Sequence, residues 1–313
     1  KVAKGTRVDI RRVGDSVPVR FAAEELARYF RAMTGCRVRI AAAKGYRRGA
    51  AGVWVGEASA LGGAAAREVR TGHEFDDRIR VEAGGGGALV TGANARSVVL
   101  AAYRYLEELG CRWFRPGPFG ERVPKVADPL DLDVKLDERP AARYRVICIE
   151  GSCSREHVTG MLDYGLKRGF NAYFIQFRDS FTFFNRWYSN EPLRGGRKIF
   201  TPGEAGRICD RVKAEARRRG MVLHSVGHGW TCEPFGILGN EWKPTRQVIP
   251  ASAKRYFAEV KGKRELWGGI PLNTNLCYSR PEVRRLMAEA VADYAAAHPG
   301  EADSGHWRGS TTI

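Results

Sequence analysis

The sequence contains no apolar run near the ~20 residues that a membrane-spanning helix needs, so its 313 residues hold no candidate span. Its seven cysteines include no C-x-x-C pair, and their number is odd. A disulfide framework is therefore the weaker expectation, and Cys36, Cys148 and Cys209, each beside apolar residues, read as structural thiols. The first residue is Lys1 and no apolar signal segment lies behind it. The chain is expected to begin after a segment removed or unseen; the compartment stays open, with export to the periplasm or outside the cell as one reading. A run of four glycines, Gly84 to Gly87, is not followed by the helix with a Lys-Ser/Thr start that a phosphate cradle requires. It reads as a hairpin turn instead.

Acidic residues are the other shortage. Against 52 Lys and Arg there are 35 Asp and Glu, a formal charge of +17. No DNA- or RNA-binding module accompanies this excess. Arg217, Arg218 and Arg219 fall in the last turn of a helix before Gly220, where cations complement the helix dipole, and Arg284 and Arg285 lie on the solvent-compatible face of another helix. The expected partners therefore exclude nucleic acid. An acidic carbohydrate fits the charge, because a basic surface attracts anions over long range.

What is present is a chain of sufficient length for two domains, with 43% hydrophobic residues to fill their cores. The stretch from Leu89 to Pro124 is its most informative part. Gly92 closes a short apolar strand and Asn94 caps the next helix, whose positions Val98, Val99, Ala102, Tyr105, Leu106 and Leu109 recur at helical spacing. Gly110 ends that helix in a left-handed turn, and Arg112-Trp113-Phe114 leads as a short strand into a stiff loop carrying Pro116, Gly117, Pro118 and Gly120. An earlier helix repeats the design, with Ala22, Leu26, Tyr29, Phe30 and Met33 on one face, Gly35 as its stop, and Val38 and Ile40 opening a strand. The helix faces at Leu26, Tyr29, Phe30 and at Val98, Tyr105, Leu106 are expected to pack on one sheet containing the Val53 strand.

Three segments, AAEELARYFRAMTG, GVWVGEAS from Gly52, and Leu89 to Pro124, come in the order of a known arrangement. They resemble the N-terminal domain of alpha-glucuronidases and the related second domain of beta-hexosaminidases. The chain is similar, from about Arg7 to about Pro299, to a bacterial family that joins this accessory domain to a glycoside-hydrolase-like barrel. The resemblance implies an α/β fold class: an α/β accessory domain over residues 1–138, then a partial (β/α) TIM-type barrel over residues 139–313.

The residue pattern supports two regions. Asp76 to Ala83 and Ala88 to Gly92 read as a hairpin, Leu130 to Val134 as a half-buried strand, and Asp137 to Pro140 as a linker. From Arg143 the rhythm becomes strand, helix, strand, helix: Val146 to Ile149 as a buried strand, Arg155 to Arg168 as a helix, Asn171 to Phe177 as a second strand. A helix from about Gly203 to Arg219 and a third strand from Met221 to Val226 follow. Regular βα units indicate a parallel sheet under helices, a barrel or, alternatively, an open doubly wound sheet. The chain beyond Pro140 is well short of the ~250 residues of a complete barrel. About four units fit, and the ending is expected to reflect truncation.

In a barrel, ligands meet the C-terminal ends of the strands. Glu150 follows the first strand; Arg178 and Asp179 follow the second; His228, Trp230 and Glu233 follow the third; Asn273, Asn275 and Cys277 precede the helix starting near Pro281. The segment His224-Ser-Val-Gly-His228-Gly-Trp230 resembles the family's HxxxHGW-type segment, in which imidazoles would bond sugar hydroxyls and an indole would stack on a pyranose. The substrate-binding candidates are accordingly His224, His228, Trp230, Arg178 and Asn275. His224 and His228 are too far apart on an extended strand, ~13 Å, to share a metal. No metal or other cofactor is expected. His224 alternatively reads as a hydrogen-bonded core residue.

Glycoside hydrolysis needs two carboxyl groups across the scissile bond. Glu150, Asp179 and Glu233 are the candidates, each with a salt-bridge role as its alternative: Asp179 with Arg178, Glu150 with Arg145 or Arg155. In the related barrels the catalytic carboxylates lie on the fourth strand or later, so no catalytic residue carries over. Phe181, Phe183, Phe184, Trp187 and Tyr188 form an aromatic loop that is either a sugar platform or a satellite hydrophobic cluster. The functional expectation is a glycoside-hydrolase-like, carbohydrate-active protein whose present chain shows no turnover alone. The rival is a carbohydrate-binding protein without catalysis.

Overall fold

A computed structural model of the chain describes residues 7–149, 151, 155–177, 181–184, 201–228, 230–231, 233–237, 239 and 242–297, without the side chains of 64–66, 176–177, 225–228, 233 and 295. Two compact units emerge. The first gathers Lys1–Ile147, Thr159–Ala172 and Ala214–Val222, and the second Cys148–Val158, Tyr173–Lys213 and Leu223–Ile313.

The first unit is built on a six-stranded sheet of order β2-β1-β3-β5-β4-β8. Its strands are β1 (Arg7–Val13), β2 (Arg37–Ala43), β3 (Gly52–Glu57), β4 (Ile79–Gly84), β5 (Gly87–Gly92) and β8 (Val134–Glu138). β1 pairs parallel with β2 and β3, and β3 parallel with β5, in a register that sets Ile10 against Val53 and Val53 against Ala88. β4 closes antiparallel on β5 and on β8. The turn between β4 and β5 has Gly85 at φ 59° and Gly86 at φ 82°, the left-handed pair of a tight hairpin. The glycine run is thus the turn its composition indicated.

Two long helices cover one face, α1 (Val17–Thr34) and α4 (Ala95–Glu108); α2 (Ala58–Leu61) and α3 (Gly63–Glu68) are short. Every apolar position of the two long helices' expected faces is buried, Leu26, Phe30, Val98, Tyr105 and Leu106 completely. Gly35 caps α1 at φ 72° and donates to the Arg31 carbonyl at 2.9 Å. At the start of α4, the Asn94 side chain accepts from the Ser97 amide at 2.8 Å. Gly92 lets the strand end approach α4 closely, since a Cβ there would collide with Ser97. The opposite face of the sheet carries a smaller cluster of Val13, Trp54, Leu61 and Leu89. The central strands β3 and β5 are therefore buried on both faces, as parallel strands usually are.

Three sequence expectations shift here. Leu130 to Asp133 is a turn rather than a strand: Leu130 is buried, Leu132 is exposed, and the strand begins at Val134. Asp137 and Glu138, expected in a linker, are the last residues of β8, where Asp137 pairs with Arg78 at 2.9 Å. Both errors have one cause, because strict alternation does not locate where a ladder of hydrogen bonds starts. Asp76 and Asp77, expected at the start of a strand, lie in the irregular segment between a turn at 74–75 and β4.

Within the first unit a short hairpin, β6 (Arg112–Trp113) and β7 (Glu121–Arg122), pairs Trp113 with Glu121 and Arg112 with Arg122. Trp113 is buried edge-on against Tyr29 and Tyr103 and donates its indole N–H to the Tyr29 hydroxyl at 2.8 Å. Tyr29 in turn donates to Glu121 at 2.9 Å. Burial pushes the thiol of the neighbouring Cys111 up to about 12, in keeping with a structural role.

The βα region has strands β9 (Val146–Ile149), β10 (Ala172–Phe177) and β11 (Val222–His228), in the order β9-β10-β11, and helices α5 (Arg155–Lys167) and α6 (Pro202–Arg218) between them. In the second unit, short turns and α7 (Ala251–Lys254) lead to α8 (Pro281–Ala297). A core cluster of Ile237, Phe257, Leu266, Leu276 and Val283 holds that part together, with Phe235 stacked on Tyr256 at 5.5 Å. No helix among the described residues is long and apolar enough to cross a membrane.

Candidate functional site

The backbone bonds at the strand starts determine strand direction. The amides of Asn171 and Ala172, at the start of β10, donate to the carbonyl of Arg145 just before β9, and the Val222 amide at the start of β11 donates to the Asn171 carbonyl at 3.0 Å. Start lies against start in both pairs, so the three strands run parallel and their C-terminal ends emerge at one edge. That edge is where the sequence places its candidate residues.

A buried carboxylate of the first unit binds the residues that precede β9 and β10. Asp77 is 2% exposed and receives Arg96 at 3.0 Å, Arg145 at 2.7 Å, the Asn171 amide group at 2.8 Å and the Ser97 hydroxyl at 3.0 Å. Burial alone would raise its carboxyl, but Arg96 and then Arg145 outweigh it and hold the group below the ordinary carboxylate range. Asn171 also accepts from the Arg145 amide at 2.8 Å. One aspartate from the irregular segment before β4 thus binds the residues just before β9 and β10, Arg145 and Asn171. The sequence candidates did not include it; the adjacent acids Asp76 and Asp77, set against the arginines of residues 139–145, were the available signal. Arg145, weighed as a partner for Glu150, gives its guanidinium to Asp77 and to the carbonyls of Gly169 and Ala142.

β9 ends one residue before Glu150, and β10 ends just before Arg178 and Asp179. Glu150, Arg178 and Asp179 lie outside the described residues, as do Trp187 and Tyr188. The apolar run of β9 predicts a buried strand, yet Val146 is 36% exposed and Cys148 is exposed. It is an end strand of the described sheet, with one neighbour instead of two. His228 is the last residue of β11; its side chain and that of Glu233, which opens a 3-10 turn, are outside the described set. His224 sits inside β11 and is 3% exposed. Trp230, 8% exposed, packs edge-on against Tyr294 of α8 with ring centroids 4.9 Å apart.

Asn275 is exposed between buried Thr274 and Leu276. Its carbonyl accepts from the Ala258 amide at 2.8 Å, and the Cys277 amide donates to the Tyr256 carbonyl at 2.8 Å, so a bridge between Phe257 and Leu276 fixes its place. Cys277 lies two residues on, its thiol held below the usual range by its hydrogen bond with Ser279 (3.2 Å) and then by Arg264. Phe181, Phe183 and Phe184 are buried, the last two edge-to-face at 5.1 Å. For these three rings the hydrophobic cluster, not the open platform, is what forms. Among the described residues no group of His, Cys, Asp or Glu is arranged to hold a metal ion.

No protein-family profile and no curated protein sequence matches the chain. Solved structures do. It is similar to BtGH115A, a family GH115 4-O-methyl-alpha-glucuronidase with specificity for decorated arabinogalactans, at 13% identity and a TM-score of 0.55, over 95% of this chain and 40% of that one. It is also similar to the Streptomyces plicatus N-acetyl-beta-hexosaminidase, at 16% identity and a TM-score of 0.48, over 93% of this chain and 53% of that one. The GH20 beta-N-acetylhexosaminidase of Streptomyces coelicolor A3(2) gives 15%, 0.45, 92% and 53%. The chain spans about half the length of these hexosaminidases. Its α/β fold, a mixed sheet under two helices followed by parallel βα units, is a glycoside-hydrolase-like fold.

Proposed function

We propose that this chain is part of a carbohydrate-active protein of the glycoside-hydrolase type, acting on O-glycosyl bonds of acidic, uronate-bearing glycans. Residues 1–138 serve as its accessory domain and residues 139–313 as the opening units of a (β/α) barrel. The observation that carries the reading is the parallel β9-β10-β11 sheet, whose C-terminal ends lead into Glu150, Arg178, Asp179 and His228. The fold likeness to an alpha-glucuronidase agrees with it.

In this reading Arg178 pairs with a sugar carboxylate, and His228 and Asn275 bond hydroxyls. Trp230, largely buried on Tyr294, forms a wall of the site more than an open platform. His224, inside the strand, supports the segment from behind. Glu150, Asp179 and Glu233 are the carboxyls from which an acid and a base would be drawn, since protonation of the leaving oxygen and stabilisation of the developing cation are needed together.

Titration calorimetry with glucuronate oligosaccharides, alongside neutral oligosaccharides of equal length, tests the proposal. Selective binding of the acidic series, weakened about tenfold or more by Arg178→Ala or His228→Ala, is expected. Equal affinity for both series, or none for either, would reject it. Aryl uronide turnover by a form carrying the remaining barrel units, abolished by replacing Glu150, Asp179 or Glu233, would identify an enzyme; binding without turnover in that form would favour the binding protein.

A further inference from the structure

The hairpin tip between β6 and β7, Phe114 to Gly120, is used by nothing described above. Phe119 is 90% exposed and Phe114 68%, on a loop stiffened by Pro116 and Pro118. Burying such apolar rings is favourable, so both stand in water at a cost to the free protein. The loop is not loose. The Phe114 amide donates to the Gly120 carbonyl at 2.9 Å, the Gly120 amide to the Gly117 carbonyl at 3.0 Å, and any side chain at Gly120 would run into the Arg115 carbonyl. Below the tip, Trp113 is locked into the aromatic group with Tyr29 and Tyr103.

The charge around these rings is of one sign. Arg112 and Arg122 face each other across the hairpin, an arrangement of like charges that is unfavourable by itself. Arg115 is exposed between the two rings in sequence, and neither it nor Arg122 makes an ion pair among the described residues. The hairpin's one acid, Glu121, is turned inward to Lys167, Tyr29 and Arg28. Arg112 donates from one guanidinium nitrogen to the carbonyls of Glu107 (2.6 Å) and Cys111 (2.7 Å), so the outward charge of the hairpin is mainly that of exposed Arg115 and Arg122, beside the two aromatic rings.

We infer that this tip is a second carbohydrate-contact site, in which Phe114 and Phe119 pack on pyranose C–H faces and Arg112, Arg115 and Arg122 neutralise the carboxylates of a uronate-bearing polysaccharide. The class of ligand rests on the functional reading proposed above. The location rests on the hairpin alone.

Affinity electrophoresis of the purified chain through gels containing polygalacturonate, neutral galactan or dextran sulfate tests the site, with cosedimentation on vesicles of mixed neutral and anionic phospholipid as a separate arm. Retardation by polygalacturonate is expected, weakened about tenfold by Phe114→Ala with Phe119→Ala and also by Arg115→Gln with Arg122→Gln, and reduced at high salt. Both double variants alter exposed residues, and circular dichroism should show unchanged folding. If retardation persists in the aromatic variant but vanishes in Arg178→Ala with His228→Ala, the hairpin site is refuted while the functional reading survives. If no saccharide retards the chain, both fall. Equal retardation by dextran sulfate, insensitive to the aromatic variant, would mean ion exchange only and overturn the proposal. So would vesicle binding lost in the aromatic variant without polysaccharide binding.

Discussion

The first unit buries charge together with its apolar core, whereas the described core of the second is a cluster of apolar side chains closed by a bridge and short turns. In the first, Asp77, Arg96 and Arg145 sit within or beside a sheet covered by two amphipathic helices. In the second, Phe257, Leu276 and Val283 meet around a two-residue bridge. The difference is instructive because the two cores depend on different things. An apolar cluster tolerates approximate placement, but a buried carboxylate demands that its donors arrive together.

The largest expected effect tests the buried charge. Asp77→Ala strands Arg96 and Arg145 without their carboxylate and should cost about 3–5 kcal/mol in urea unfolding. A loss below about 1 kcal/mol would show that water substitutes for Asp77, and would erase the contrast between the units. The pH dependence sharpens the test. With its folded value depressed, Asp77 contributes stability that is present above the unfolded value of ~3.9 and is lost as pH falls through the lower folded value. The melting temperature of the parent protein should therefore fall more steeply below pH ~4 than that of Asp77→Asn.

Apolar truncations come next. Phe257→Ala, at a site with no exposure, should cost about 3–5 kcal/mol, and Leu106→Ala, equally buried on the apolar face of α4, about 2–5 kcal/mol. A much smaller loss at Phe257 would mean that the second unit's cluster collapses to fill the space, as the helix-and-sheet core cannot. Asn94→Ala, which removes the cap on Ser97, should cost about 1 kcal/mol. The smallest effect belongs to the exposed pair of Arg218 and Glu24 at 2.8 Å: a double-mutant cycle should return less than about 1 kcal/mol, diminishing with salt. A larger coupling there would contradict the view that only the unit's buried charges matter.

The parts of the fold legible in the sequence were those where one period governed a long stretch. The apolar faces of α1 and α4, the stop at Gly35, the cap at Asn94 and the Gly85-Gly86 turn each depend on neighbours within a few residues. Strand edges were less legible. Leu130 to Asp133 alternates like a strand but has no partner ladder, and the 134–138 segment does. At the candidate site, the positions of strands β10 and β11 followed from apolar runs, yet burial of Phe181, Phe183 and Phe184 and the packing of Trp230 on Tyr294 did not. Residues 181–184, read as part of a loop, are helical, and side chains outside the long periodic stretches are placed by whatever packs against them, a neighbour that no local pattern encodes.

The sequence by itself determined the two long amphipathic helices, the apolar strands of the βα units, the tight Gly85-Gly86 turn and that the molecule is strongly basic, because propensity, periodicity and charge are properties of adjacent residues. Only the tertiary structure decided that Asp77 from an irregular segment meets Arg96, Arg145 and Asn171, that Glu121 turns inward to Lys167, and that Phe119 stays in water. Those pairings join residues up to 94 positions apart. The free energy of burying a charge or leaving a ring exposed depends on the surroundings that the whole fold assembles, not on the residues next in the chain.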